Sequence, residues 1–160
     1  MKKKILTLIC ALAVSLVTTV GCAANRLLPN LKKQDGLTTV YVGKTLIRMA
    51  GCNAVNVAPG VVDMDDIVKY LDSVEIVNAD SKQSVSYLRP LMESVMKSLQ
   101  GLDLAMEVKE DDQTVNIYTV AGSTPDRISR LLITVAEDDE LTLIDMQGDI
   151  PANLLEDMDF

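Results

Sequence analysis

The sequence predicts an α+β domain. It comprises a short N-terminal β-α-α-β segment, one long helix, then a four-stranded antiparallel meander with helices on one face and a short C-terminal helix. Three observations carry this expectation. Residues 84–100 place Val85, Leu88, Leu91, Met92, Val95, Met96 and Leu99 on one stripe at helical spacing. From Leu104 onward the apolar period falls to two. Four such stretches follow one another with short acidic or turn-rich breaks, the pattern of antiparallel neighbours joined by hairpins.

The chain of 160 residues opens on Lys2, Lys3 and Lys4, then runs without a charge from Ile5 to Val20 and reaches Gly21-Cys22. A basic start, an apolar core and a small-residue cleavage point make a secretory signal, and the stretch is short for a membrane span of about 20 residues. Thr19-Val20-Gly21-Cys22 resembles the lipobox of bacterial lipoproteins, with Thr19 where Leu is usual. That resemblance implies cleavage before Cys22 and acylation of its thiol. Several acyl chains hold a protein to a bilayer durably, because each buried CH₂ contributes about 0.8 kcal/mol. The expected organisation is therefore a signal peptide over 1–21, a tether over 22–34 and a single domain over 35–160.

Within the domain, Thr38–Val42 is β-branched and aromatic and follows Asp35-Gly36, so it reads as a strand. Lys44–Ala50 sets Leu46, Ile47 and Ala50 at helical spacing and meets Gly51. Residues 52–62 read as loop, and Asp63 or Asp65 can cap a helix reaching Leu71. Ser73–Asn78 is a second strand. The long helix over 84–100 contains Pro90, so it is expected either to begin near Leu88 or to kink there. Leu104–Lys109, Val115–Tyr118, Arg130–Val135 and Leu141–Met146 are the four meander strands. Asp149-Ile150-Pro151 is expected to open the last helix, with Pro in its first turn.

Composition excludes several chemistries. There is no His, which removes Ser-His-Asp and Cys-His devices and imidazole metal sites. Loss of Lys2, Lys3 and Lys4 with the signal leaves 12 bases against 23 acids, a formal charge of −11. That sign disfavours nucleic acid. Cys52 is the one thiol left after cleavage and acylation, so no internal disulfide is available, and it reads as a buried small hydrophobe. Asp63-Met64-Asp65-Asp66 lacks the twelve-residue spread of a calcium loop. Gly43-Lys44-Thr45 lacks the upstream Gly of a phosphate loop, because Thr38 stands there. Glu110-Asp111-Asp112 and Glu137-Asp138-Asp139-Glu140 fall at hairpin tips, where charge discourages strand pairing between molecules. No catalytic residue, no metal and no cofactor is expected.

One face of the meander is apolar and is expected to carry the long helix. The other offers Glu107, Lys109, Asn116, Tyr118, Arg130 and Thr134, a mixed surface open to water or a partner. Tyr118 and Arg130 are the expected binding residues on it.

The ordering of segments is similar to DUF4252, a family of small Bacteroidetes-type exported or lipid-anchored domains of unknown function. The likeness lies in Gly36–Met49, Tyr70–Asn78, Val115–Tyr118 and Glu140–Gly148, and spans Leu31 to Phe160. It implies an envelope address and carries no functional residue with it. The expected function is a noncatalytic cell-envelope lipoprotein domain that binds a protein or peptide. It would be exported, anchored through lipid on Cys22, and placed at the outer membrane facing the periplasm. An accessory role in envelope-stress sensing or signalling is the alternative.

Overall fold

The computed structural model describes residues 26–50 and 67–156. Its elements are β1 (Leu37–Gly43), α1 (Lys44–Ala50), β2 (Leu71–Ala79), α2 (Lys82–Ser98), β3 (Leu102–Glu110), β4 (Gln113–Ala121), β5 (Arg127–Ala136), β6 (Leu141–Pro151) and α3 (Asn153–Glu156). All six strands join one antiparallel sheet in the order β1-β2-β6-β5-β4-β3.

This overturns the expected architecture. The N-terminal strands are not a separate β-α-α-β segment, and the last four strands are not a self-contained meander: β2 pairs with β6 along its length, from Ala79 opposite Leu141 to Leu71 opposite Gly148. The sheet, with few helices around it, is the fold. That pairing joins segments some 60 residues apart, and a local apolar period carries no information about it. The helices also lie on both faces instead of one.

Alternation along each strand assigns the faces. The first face carries Val77 and Ala79 from β2, Leu141 and Leu143 from β6, and Leu132 from β5, all nearly inaccessible. Val85, Leu88 and Met92 of α2 and Leu27 and Leu28 ahead of β1 complete that core, with Tyr118 packed against it. The second face carries Ile117, Leu131, Ile133, Met146 and Ile150. Ile47 of α1, Ile67, Val68, and Leu154 and Leu155 of α3 cover it. The long helix thus lies over the mixed face, and the apolar face takes the short helices. Apolar residues of both parities explain the inversion: Leu132 and Leu131 are both fully buried, one on each face.

Helix α2 begins at Lys82 and runs through Pro90, which corrects the expected start near Leu88. Ser81 caps it. Its Oγ accepts the Ser84 N–H at 3.3 Å, while Ser84 Oγ accepts the Ser81 N–H at 3.1 Å. These reciprocal bonds satisfy donors that a helix start otherwise leaves open. Pro90 lies on the exposed side, where water can solvate the carbonyl its missing N–H leaves unbonded. At the other end of the chain Pro151 closes β6 and stands outside α3, so it does not open a helix as expected.

The acidic stretches do sit at hairpin tips. Glu110 faces Gln113 across Asp111-Asp112, with Asp111 at φ 41, and the Glu137 N–H reaches the Glu140 carbonyl at 2.9 Å across Asp138-Asp139. Both tips lie at the same end of the sheet as Gly36 and Asp80, whose N–H donates to the Gly36 carbonyl at 2.9 Å. At the opposite end Gly148 meets the start of β2. A Cβ on it would stand 2.1 Å from the Tyr70 carbonyl oxygen, so only glycine allows this approach. Cys22, Cys52 and the Asp63–Asp66 cluster lie outside the described residues.

Candidate functional site

The most unusual chemistry sits on the first face, in the row that register builds from Tyr41, Glu75, Asp145, Leu132, Tyr118 and Leu104. Glu75 and Asp145 are directly opposed on neighbouring strands and are 4% and 1% exposed. Like charges so placed repel, and burial of each disfavours its ionised form. Both carboxyls are accordingly held above the usual carboxylate range, by desolvation first in each case.

Each has compensating partners. The Leu27 N–H donates to Glu75 Oε2 at 2.7 Å, and the Leu28 backbone and the Arg26 charge also favour its ionised form. The Arg26 guanidinium lies 4.9 Å from the centre of the Tyr41 ring, Tyr41 being opposite Glu75 on β1. Asp145 Oδ2 accepts from Gln147 Nε2 at 2.8 Å, and Asp145 Oδ1 stands 2.9 Å from Arg130 Nε. Backbone N–H groups and a guanidinium are strong partners for a carboxylate in a poorly hydrated place. The arrangement fastens chain segments: Glu75 holds the residues ahead of β1 against the sheet, and Asp145 holds Arg130.

Of the expected binding residues, Arg130 is committed to Asp145 with 18% of its side chain exposed. Tyr118 is half-buried against the core beneath α2. Register makes them diagonal neighbours, Tyr118 opposite Leu132 and Arg130 opposite Val120. The structure therefore brings them together on one face, yet it corrects the expectation that this face is open. Residues 26–34, expected as tether, include Leu27 and Leu28, both 7% exposed.

Glu75 and Asp145 escaped the sequence reading because a charge on a strand is ordinarily a sign of solvent. Parity was the available signal: Glu75 alternates in step with Val77 and Ala79, and Asp145 with Leu141 and Leu143.

The second feature is an edge. β3 is bonded on one side only, to β4. Leu104 on it is 47% exposed, and Ala105 has no partner in the register, which shifts between Leu104 and Met106. Asp103, Glu107, Lys109 and Glu110 are exposed along it, with Lys109 Nζ 2.6 Å from Glu107 Oε1. Bulges and charges of this kind keep an edge from pairing indiscriminately. A shallow depression between α2 and the β5–β6 tip is lined by Lys82, Val85, Ser86, Arg89, Asp138 and Asp139. It holds charges of both signs, Lys82 Nζ standing 3.5 Å from Asp139 Oδ1.

A six-stranded antiparallel sheet with its N-terminal segment clasped by a buried carboxylate defines a small sheet domain with one unpaired, charge-guarded edge. The chain belongs to the DUF4252 family, a domain of unknown function, whose family model matches residues 31–158. No curated protein matches, and neither does any solved structure.

Proposed function

We propose that the protein is a noncatalytic, lipid-anchored domain of the cell envelope that holds an extended segment of a partner protein by strand addition along β3. The unpaired β3 edge carries this reading: a nine-residue strand with backbone groups open on one side and an apolar side chain, Leu104, exposed on it. Main-chain bonding supplies affinity in that mode, and side chains on alternate positions supply selectivity. Asp103, Glu107 and Glu110 outnumber Lys109 along the edge, so the favoured segment alternates apolar with basic residues. The lipobox at Cys22 is the support for anchoring, and the 1–21 leader is the support for export, at the outer membrane facing the periplasm.

The test is photo-crosslinking in living cells from position 103 or 107, beside the Cys22→Ala variant. A partner captured from β3, absent from a crosslinker on the covered strand β6, and lost in Ala105→Pro supports the reading. Proline at the bulge removes an outward donor and spares the β3–β4 ladder. Capture that is indifferent to Ala105→Pro, with the thermal midpoint unchanged, sinks it.

A further inference from the structure

We propose that the Glu75 clasp fixes how the domain stands on its membrane: lipid on Cys22 holds the Tyr41–Lys44 end of the sheet against the bilayer surface, and the acidic hairpin tips project away from it. This rests on the anchoring reading above and adds a geometry to it.

The argument begins with chain length. Arg26 lies over the Tyr41 ring, Leu27 is bonded to Glu75, and Leu27 and Leu28 are buried. The segment then rises over the first face, where the Lys32 N–H donates to Tyr87 Oη at 3.2 Å, and reaches β1 through the Leu37 N–H to the Gln34 carbonyl. The free linker is therefore not the dozen residues between Cys22 and Asp35 but the three between Cys22 and Arg26. Four extended steps span at most about 14 Å. A bilayer that receives the acyl chains must then lie close to the end of the sheet where Tyr41 and Glu75 stand.

Charge points the same way. The far end of the sheet gathers Asp35, Asp80, Glu110, Asp111, Asp112 and the Glu137–Glu140 run, against Lys82 and Lys109. Asp139 lies six residues along β6 from Asp145, about 20 Å at the rise of a strand. An anionic surface repels that end and penalises the inverted orientation. The clasp and the charges thus favour one orientation, with the tips held outward.

The test uses the full lipidated protein in vesicles of phosphatidylcholine and phosphatidylglycerol that carry an acceptor dye on the headgroup. Donor dyes are placed at Thr45→Cys, beside β1's lower end, or at Asp138→Cys, on a tip, each with Cys52→Ser. The expected result is severalfold stronger energy transfer from position 45 than from position 138. Glu75→Ala should bring the two towards equality, with hydrogen exchange showing the Leu27 and Leu28 amides released while Val77 and Leu143 stay protected. Eight Gly-Ser residues inserted after Ala24 leave the clasp intact and should have the same effect, which keeps the test open if Glu75→Ala does not fold. Equal transfer in the parent protein, or a difference that survives the insertion, overturns the proposal while leaving anchoring intact. A mature N-terminus whose mass carries no acyl chains overturns both.

Discussion

Arg130 illustrates how a residue that reads as a binding group can be structural. Its guanidinium offsets a carboxylate that is 1% exposed, and an ion of that kind left unpaired is costly. Arg130→Met should therefore destabilise the domain by about 3 kcal/mol, read from the urea midpoint. Arg130→Met with Asp145→Leu should recover most of the loss, because the buried charge goes with its partner. A single variant that costs under about 1 kcal/mol would show the pair to be well solvated. The same row sets a pH dependence. Glu75 and Asp145 are held above their ordinary values by burial, and Glu140 is raised by burial and then by Glu137 and Asp80. A raised carboxyl binds its proton more readily in the folded than in the unfolded chain, so stability falls as pH rises through the folded pKa. Unfolding free energy should accordingly climb as pH drops from 7 towards the ordinary carboxylate range near 4. Urea titrations at a series of pH values check this; a decline over that whole window would mean that lowered carboxyls dominate.

At the scale of elements, α2 carries an avoidable defect. Pro90 removes one intrahelical donor on the exposed side of a helix otherwise capped by Ser81 and Ser84. Pro90→Ala returns an N–H to the Ser86 carbonyl and should raise stability by about 1–3 kcal/mol, measured by thermal or urea unfolding. No change would mean that the helix has already adapted its backbone around the ring. The cap also explains why the helix start was misjudged from sequence. Pro90 is a strong local breaker, while the Ser81–Ser84 reciprocal cap reveals itself only when both hydroxyls are seen to bond. Strand positions were more legible, because period two is a local property: Leu104, Met106 and Val108, or Leu141 and Leu143, announce strands without reference to the rest of the chain. Pairing is a different matter. That β2 lies beside β6, and that Glu75 consequently opposes Asp145, depends on contacts across some 70 residues, as does the choice of which face α2 covers. The candidate site was hidden for that reason, since the clasp needs Leu27 and Glu75 together, 48 residues apart. The β3 edge was hidden likewise, because no strand announces in its own sequence that its neighbour is missing.

For the molecule as a whole, the decisive property is the separation of its charges. Residues 22–160 carry 23 acids against 12 bases, and the hairpin tips concentrate the excess at one end of the sheet. Carboxylates so crowded repel one another in the folded chain more than in the expanded unfolded one. The upward shift of Glu140, to which Glu137 and Asp80 contribute, reports that repulsion locally. Opposing it are exposed pairs such as Lys44–Asp72 and Lys82–Asp139, each of small worth in water. Salt weakens both effects, so the direction of its action reveals which is larger. Because the excess is large and the pairs are exposed, raising the salt concentration about tenfold from low ionic strength at pH 7 should stabilise the fold by on the order of 1 kcal/mol. Glu140→Gln offers an independent handle: it removes one charge from the tip while keeping an amide for Asn78. In low salt it should deliver part of the same gain, and it should flatten the salt dependence. A urea midpoint that falls with salt would mean that the ion pairs outweigh the repulsion. The acidic tips would then be held together as an ordered part of the fold, and not merely tolerated at its far end.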